Sequence, residues 1–212
     1  MRMISEPTAA AMACGFHESD ESLNVLIFDL GGGTLDVSIA CISDGVVDVQ
    51  SSFGDMMLGG RDLDEVLVNF CINEFKKTTG VDLTENIAQR ARLTTVCEAA
   101  KLELCEQNEA TVRLDIVEGH DLNIQLTRIE FEELINEILL KVNIPVENAL
   151  RHAEMKVDEI DHIVLVGGST RLPWVHEWVS NYFGKAPYVD LNPDEGVAYG
   201  ATIMAGVLSG SQ

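Results

Sequence analysis

The stretch that decides the fold is Asn24–Ser38, NVLIFDLGGGTLDVS. An apolar run delivers Asp29, glycines occupy 31–33, Thr34 follows, and alternation resumes from Leu35. A strand that breaks on Asp-x-Gly-Gly-Gly-Thr and restarts at once predicts a hairpin. Glycine lacks a Cβ and takes positive φ freely. Three in a row predict backbone N–H groups turned into one concavity that an anion can approach. Thr34 adds a hydroxyl, and Asp29 offers a carboxylate to a metal-bound or attacking water. The pattern suits a phosphate cradle without a P-loop lysine, and by itself it suits a plain turn as well.

Working outward, TLDVSIACIS leads to Asp44-Gly45, a tight-turn pair, and then to VVDVQSSFGD, which predicts an antiparallel meander. Val37, Ile39 and Cys41 alternate with Asp36, Ser38 and Ala40, so one face of the second strand is expected to be buried. Upstream, MRMISEPTAAAMACGF reads as an amphipathic helical segment from the middle of a longer protein. Downstream, Leu63, Val66, Leu67, Phe70, Cys71 and Phe75 fit a helical period, and TENIAQRARLTTVCEAAKLELC predicts a second helix capped by Thr84. Two strand patterns, ATVRLDIV and LNIQLT, meet at Glu118-Gly119-His120. Thr127 and Glu130 have the capping-box spacing ahead of RIEFEELINEILLKV. Pro145 then kinks that helix or starts another.

The last third pairs a strand, HIVLV, with a second glycine turn, Gly167-Gly168-Ser169, and a helix. That order suits ligand binding at a strand's carboxyl end, with Arg171 able to cover a purine face, and it suits a simple strand-to-helix turn equally. Asn192 and Pro193 predict the N-cap and first residue of a final helix, whose Gly196, Gly200 and Gly206 allow close packing. Glu98 and Lys101 lie three apart on one helix, the spacing of a surface ion pair.

Composition narrows the classes. The 212 residues are 46% hydrophobic, enough for a sizeable core, and carry 14 Lys+Arg against 35 Asp+Glu, a net charge of −21. That charge argues against nucleic-acid backbones and anionic membranes as partners. The five cysteines include no C-x-x-C pair and read as reduced, buried thiols of a cytoplasmic-type compartment. The five histidines show no metal-ligand spacing. No leader pattern and no 18-residue apolar run is present, so a secreted or membrane-spanning product is not expected.

Taken together, ISEPTAAAMACG, LIFDLGGGTLDVS, LGGRDLD, RIEFEEL, IVLVGGSTRLP and NPDEGVAYGA resemble the ATPase domain of the heat-shock protein 70 chaperones, in order and with the family's spacing from Ile4 to about Gly210. They correspond to the second, C-terminal lobe only. The resemblance implies an α/β, actin-like (ribonuclease H-like) lobe. Its sheet subdomain would span about 1–58 and 138–212, with an inserted α+β outer subdomain at about 59–137. It implies ATP or ADP with Mg²⁺ as cofactors. Gly31, Gly32, Gly33 and Thr34 would then hold the β- and γ-phosphates. Asp29 and Glu6 would act on the attacking water and, through water, on the magnesium. Glu98 and Lys101 would bond the ribose, and Gly167, Gly168, Ser169, Arg171 and Asp194 would line the adenosine pocket.

Three positions depart from the family's pattern. Leu102 stands where an arginine usually follows the ribose lysine, Cys105 where a serine usually bonds the base, and Arg61 where an acidic residue is common. Loss of the first two contacts weakens adenine binding by about 1–3 kcal/mol. The resemblance further implies several partners: the missing first lobe, J-domain co-chaperones meeting Asp44–Val49, nucleotide-exchange factors on the outer subdomain, and unfolded clients held by a separate domain. Two rival readings are a divergent interaction module with weak or no nucleotide binding, and an actin-fold small-molecule kinase or filament protein.

Overall fold

A computed structural model describes residues 3–18, 21–117 and 120–209. The chain divides into two compact units, Met1–Gly59 with Lys141–Gln212, and Gly60–Leu140.

The first unit is built on a mixed four-stranded sheet. Its strands are β1 (Leu23–Leu30), β2 (Leu35–Ser43), β3 (Val46–Asp55) and β6 (His162–Val166), in the order β3-β2-β1-β6. The first three form the expected antiparallel meander, and β6 runs parallel to β1. Asp44 at φ 51° and Gly45 at φ 75° make the tight turn with both central residues left-handed, the geometry that matches strand twist. A bulge between Ile39 and Ala40 resets the β2–β3 register.

The expectation of one buried face on β2 is corrected. Ser38, Ala40 and Ile42 are buried along with Leu35, Val37 and Ile39, whereas Cys41 is only half-buried. The reason is that helices cover both faces, as a central strand of an α/β sheet requires. On one face α1 (Glu6–Ala13) sets Ala10 and Ala11 against Val25, Ile27, Ala40, Ile42, Val164 and Val166. This helix is not amphipathic, because Ala9, Ala10, Ala11 and Met12 are all buried; Met1 and Arg2 lie outside the described residues. On the other face, α5 (Asn143–His152) receives the Ser51 hydroxyl on its Ala149 carbonyl at 2.8 Å. Trp178 of α6 (Pro173–Phe183) meets Phe28 there, with ring centroids 6.0 Å apart.

The final helix, α7 (Gly196–Ser209), begins later than Asn192–Pro193 predicts. The Asn192 side chain accepts from the Asp194 N–H at 3.2 Å, a turn rather than a helix cap. Its carbonyl then takes the Gly196 N–H at 3.0 Å, which launches the helix. Gly200 lies against α1: a Cβ there would stand 1.7 Å from the Ala9 carbonyl oxygen.

The second unit holds α2 (Gly60–Thr79), α3 (Ile87–Glu106), the hairpin β4 (Glu109–Val117) and β5 (His120–Thr127), and α4 (Arg128–Leu139). Within α2 the buried stripe is Leu63, Asp64, Leu67, Val68, Cys71, Ile72 and Phe75, while Val66 and Phe70 are half-buried. Thr84 is not the cap of α3. Its N–H bonds Asp82 at 2.9 Å, and Asn86 caps the helix by accepting from Gln89 N–H at 3.1 Å. The Arg128 guanidinium closes the other end of α3 on the Leu104 and Gln107 carbonyls at 2.8 and 2.9 Å, where a cation is favoured. The expected capping box of Thr127 and Glu130 is present. Glu118 and Gly119, at the tip of the β4–β5 hairpin, lie outside the described residues. Pro145 starts a helix rather than kinking one, since it occupies the first turn of α5, where its missing N–H costs nothing. Among the described residues no helix is long and apolar enough to cross a membrane.

Candidate functional site

The sheet face under α1 changes character along its length. Val25 and Ile27 on β1 are buried in apolar contacts, but the next inward position is Asp29. The hairpin pairs Asp29 with Asp36 across the β1–β2 ladder. Ser38 and Ser52 follow, joined by a 2.9 Å hydroxyl hydrogen bond. Glu6 opens α1 above them, in the first turn, where Ser5 accepts from the Thr8 N–H at 3.4 Å. Glu6, Pro7, Ala10, Ile27, Asp29, Asp36, Ser38 and Ser52 enclose a cavity of about 170 Å³.

Three carboxylates therefore flank one small cavity, and among the described residues none of them is paired with a basic side chain. Burial, then the charges of Glu6 and Asp36, push the Asp29 carboxyl up from 3.8 to about 6. Such a group holds or releases a proton near neutrality and gains from any cation brought to it. Among the described residues no three His, Cys, Asp or Glu side chains are arranged to ligate a metal directly.

Asp36 is the residue that the strand alternation hid. It reads as an outward polar position, yet the four-residue turn 31–34 is symmetric about its centre and so sets 29 opposite 36. Gly54 makes room for it: a Cβ there would lie 2.6 Å from the Asp36 carboxylate oxygen.

The glycine turn works differently from the expectation. None of Gly31, Gly32 and Gly33 takes a positive φ. The turn closes with the Gly31 N–H donating to the Thr34 carbonyl at 3.0 Å. What the glycines supply is space. A Cβ on Gly32 would meet nothing within 4 Å, and one on Gly31 only the Thr34 oxygen at 3.8 Å. On the other side Gly59 lies so close that a Cβ there would stand 2.5 Å from the Gly33 nitrogen.

The second glycine turn is tied to the first. Gly167, at φ +86°, passes over the end of β1, and a Cβ there would stand 2.4 Å from the Leu30 oxygen and 2.8 Å from an Asp29 carboxylate oxygen. Ser169 donates its hydroxyl to the Gly31 carbonyl at 3.0 Å. Gly168 borders the Asp194 carboxylate, 2.9 Å from where its Cβ would be. Arg171 is held by Asp194 at 2.6 Å and by the Asn192 side chain at 3.0 Å. Asn192 is a further contributor that the sequence offers only as a helix cap. The predicted residues Glu6, Asp29, Gly31–Gly33, Thr34, Gly167, Gly168, Ser169, Arg171 and Asp194 thus form one connected region of the first unit.

Glu98 and Lys101 belong to α3 in the second unit, and they do not form the surface ion pair their spacing suggests. Lys101 is buried, and its ammonium hydrogen-bonds the Asp64 carboxylate at 2.9 Å and the Gly60 carbonyl at 3.0 Å. Glu98 and Leu102 face outward; Leu102 is 54% exposed. The Cys105 thiol points back to the Lys101 carbonyl at 3.5 Å.

Comparison with known proteins agrees with this architecture. The model of the Hsp70 protein family matches residues 1–212. A heat shock 70 kDa protein of Penicillium citrinum is 46% identical over 212 residues, spanning 99% of this chain and 42% of that protein. Heat shock 70 kDa protein 2 of Paracoccidioides lutzii is 46% identical over 213 residues, spanning 99% of this chain and 33% of that protein. A heat shock 70 kDa protein of Trichophyton rubrum is 45% identical, with the same 99% and 33% shares. The chain therefore spans less than half the length of these relatives. Its mixed sheet with an inserted α+β unit is consistent with the actin-like fold expected of a fragment of this family. On this evidence the chain belongs to the Hsp70 protein family.

Proposed function

We propose that this chain is the C-terminal lobe of the ATP-binding domain of a heat-shock-70-like chaperone, in which ATP binding and hydrolysis drive cycles of unfolded-peptide capture and release. The observation that carries the reading is Asp29. Its carboxyl is pushed up to about 6 by burial and by Glu6 and Asp36, and among the described residues no basic side chain pairs with it; it lies directly before a turn whose open side lies over Gly31 and Gly32. That donor set fits a hydrated Mg²⁺ beside a phosphate group. Magnesium, when bound, supplies charge neutralisation. Asp29 and Glu6 would hold its water shell, Asp29 would position the attacking water, and Gly31–Gly33 with Thr34 would let phosphate oxygens reach the backbone. The region of Gly167, Gly168, Ser169, Arg171 and Asp194 stands for the adenosine side. On α3 the outward face carrying Glu98 and Leu102 stands for ribose and base.

Phosphoryl transfer of this kind depends on positioning and charge neutralisation from all sides of the nucleotide. By resemblance, a lysine and an aspartate of the first lobe take part. The isolated lobe should therefore hydrolyse ATP at least about 100-fold more slowly than the complete two-lobed domain. A malachite-green phosphate assay on both checks this, and near-equal rates would overturn the reading. J-domain co-chaperones at Asp44–Val49, nucleotide-exchange factors on the second unit, clients held elsewhere in the longer protein, and a cytoplasmic location follow from the same reading.

A second reading, an interaction module with weak nucleotide affinity, draws on one observation. The outward face of α3 offers an aliphatic Leu102 and a thiol already turned to its own helix, and neither gives an adenine a guanidinium plane or a strong donor. Leu102→Arg with Cys105→Ser should tighten Mg-ADP binding by the two-lobed domain about tenfold. A change below twofold in a calorimetric titration would remove these positions from the base contact.

A further inference from the structure

We infer that one flank of α6 is a docking ridge for a proline-rich segment of a partner protein that also carries lysine or arginine, with Trp174, Trp178 and Tyr182 as its contacts. The ridge takes no part in the nucleotide reading above.

A helix laid on a sheet needs one buried stripe. In α6 that stripe is Val175, Val179 and Phe183. Trp174, Trp178 and Tyr182 recur every fourth residue on the flank beside it, and each is only half-buried. Their rings stack along the helix. The Trp174 and Trp178 centroids are 6.1 Å apart at 17°, and those of Trp178 and Tyr182 are 4.9 Å apart at 24°. Phe28 of the sheet backs Trp178. The three rings therefore form one supported surface, and such rings bind with little loss of conformational freedom.

The polar edges of the ladder choose its partner. Stacked rings cover one another's faces and leave their edges to solvent. An indole has an N–H donor and no acceptor. Among the described residues neither indole N–H nor the Tyr182 hydroxyl has a hydrogen-bond partner, and none of the three is sealed from solvent. Proline is the reverse, a carbonyl acceptor with no N–H. A polyproline II segment keeps its carbonyls free and is already ordered before it binds. Charge sets the rest. Glu177 is exposed and follows Trp174 by three residues, so it borders the ladder. On α5, Glu147 lies near enough to Tyr182 that its charge, after burial, raises the phenol pKa. Arg171 is already held by Asp194 and Asn192. Two carboxylates beside the ladder, on a chain of net charge −21, call for cations in the docked segment.

Both tryptophans of the chain lie in the ladder, so intrinsic fluorescence reads the ridge directly. Titrating this chain with a peptide of repeated Arg-Pro-Pro triplets should give a saturable change in tryptophan emission, with a Kd of about 100 μM or tighter. Peptides of repeated Glu-Pro-Pro or Arg-Gly-Ser triplets should each bind at least about tenfold more weakly. Trp174→Ala and, separately, Glu177→Lys should each weaken Arg-Pro-Pro binding at least about fivefold, read by anisotropy of the fluorescein-labelled peptide. Circular dichroism checks that each variant is folded, and Glu177→Lys, at an exposed position, carries the test if Trp174→Ala is not. No saturable change, equal binding of the Arg-Gly-Ser peptide, or undiminished binding by a folded variant overturns the inference. Binding to phosphatidylcholine vesicles without binding to the Arg-Pro-Pro peptide also overturns it and makes the ladder a lipid contact.

Discussion

Replacing Asp29 by asparagine should abolish most ATP hydrolysis in the two-lobed domain while making the ligand-free fold more stable. The two effects share one cause. Burial and the neighbouring charges of Glu6 and Asp36 raise the Asp29 pKa to about 6, so at neutral pH the chain carries an ionised group its surroundings resist. Asparagine keeps the shape and drops the charge. Hydrolysis should fall about 100-fold or more, the scale of losing one preorganised polar group at a reacting centre. Stability at pH 7 should rise by about 1 kcal/mol, after discounting for the group's partial exposure. Because the folded pKa lies above the ordinary 3.8, the folded state binds this proton more tightly. The stabilisation is complete below pH of about 4 and is lost as pH rises through about 6. Urea denaturation at pH 5 and pH 7 should show the native chain losing stability across that interval, and Asp29→Asn losing less. An asparagine variant that is less stable at pH 7 would contradict the account of the cavity.

Gly200→Ala should destabilise the first unit by about 3 kcal/mol, although on helix propensity alone the change should help by about 1 kcal/mol. The reversal comes from packing. A Cβ at this position would stand 1.7 Å from the carbonyl oxygen and 2.5 Å from the carbonyl carbon of Ala9, which are backbone atoms of a helix buried against the sheet. Either α7 moves out or α1 shifts, and α1 carries Glu6. Gly196→Ala is the control. Its Cβ would meet the Leu191 side chain at 2.6 Å, a flexible neighbour that can turn aside, so the loss should stay near 1 kcal/mol. A Gly200→Ala midpoint in urea equal to that of the native chain would show that α1 and α7 do not make this contact.

Much of the fold is legible in the sequence because its signals are local. The meander follows from alternation and from Asp44-Gly45, and the Thr127–Glu130 capping box follows from spacing. What escapes depends on partners far along the chain. Nothing near β2 announces that helices cover both its faces, so Ser38 and Ala40 read as outward. Thr84 resembles a cap until Asp82 is seen to take its N–H. Lys101 looks like the surface partner of Glu98, and only the folded unit reveals Asp64, thirty-seven positions away, as its counter-ion. The candidate site divides the same way. Asp29 and the glycines stand out in the sequence, but their surroundings do not: Asp36 needs the hairpin register, and the tie of Ser169 to Gly31 spans 138 positions. The glycines are needed for room rather than for positive φ, and a one-dimensional pattern does not distinguish the two.

The central claim is that this lobe forms half of a nucleotide site. Calorimetric titration with Mg-ADP, of this chain and of the complete two-lobed domain side by side, tests it most directly. The account predicts micromolar or tighter binding by the two-lobed domain, a Kd worth about −8 kcal/mol or better, and at least about 100-fold weaker binding by this lobe. Absence of binding by both would contradict it and leave the interaction-module reading in its place.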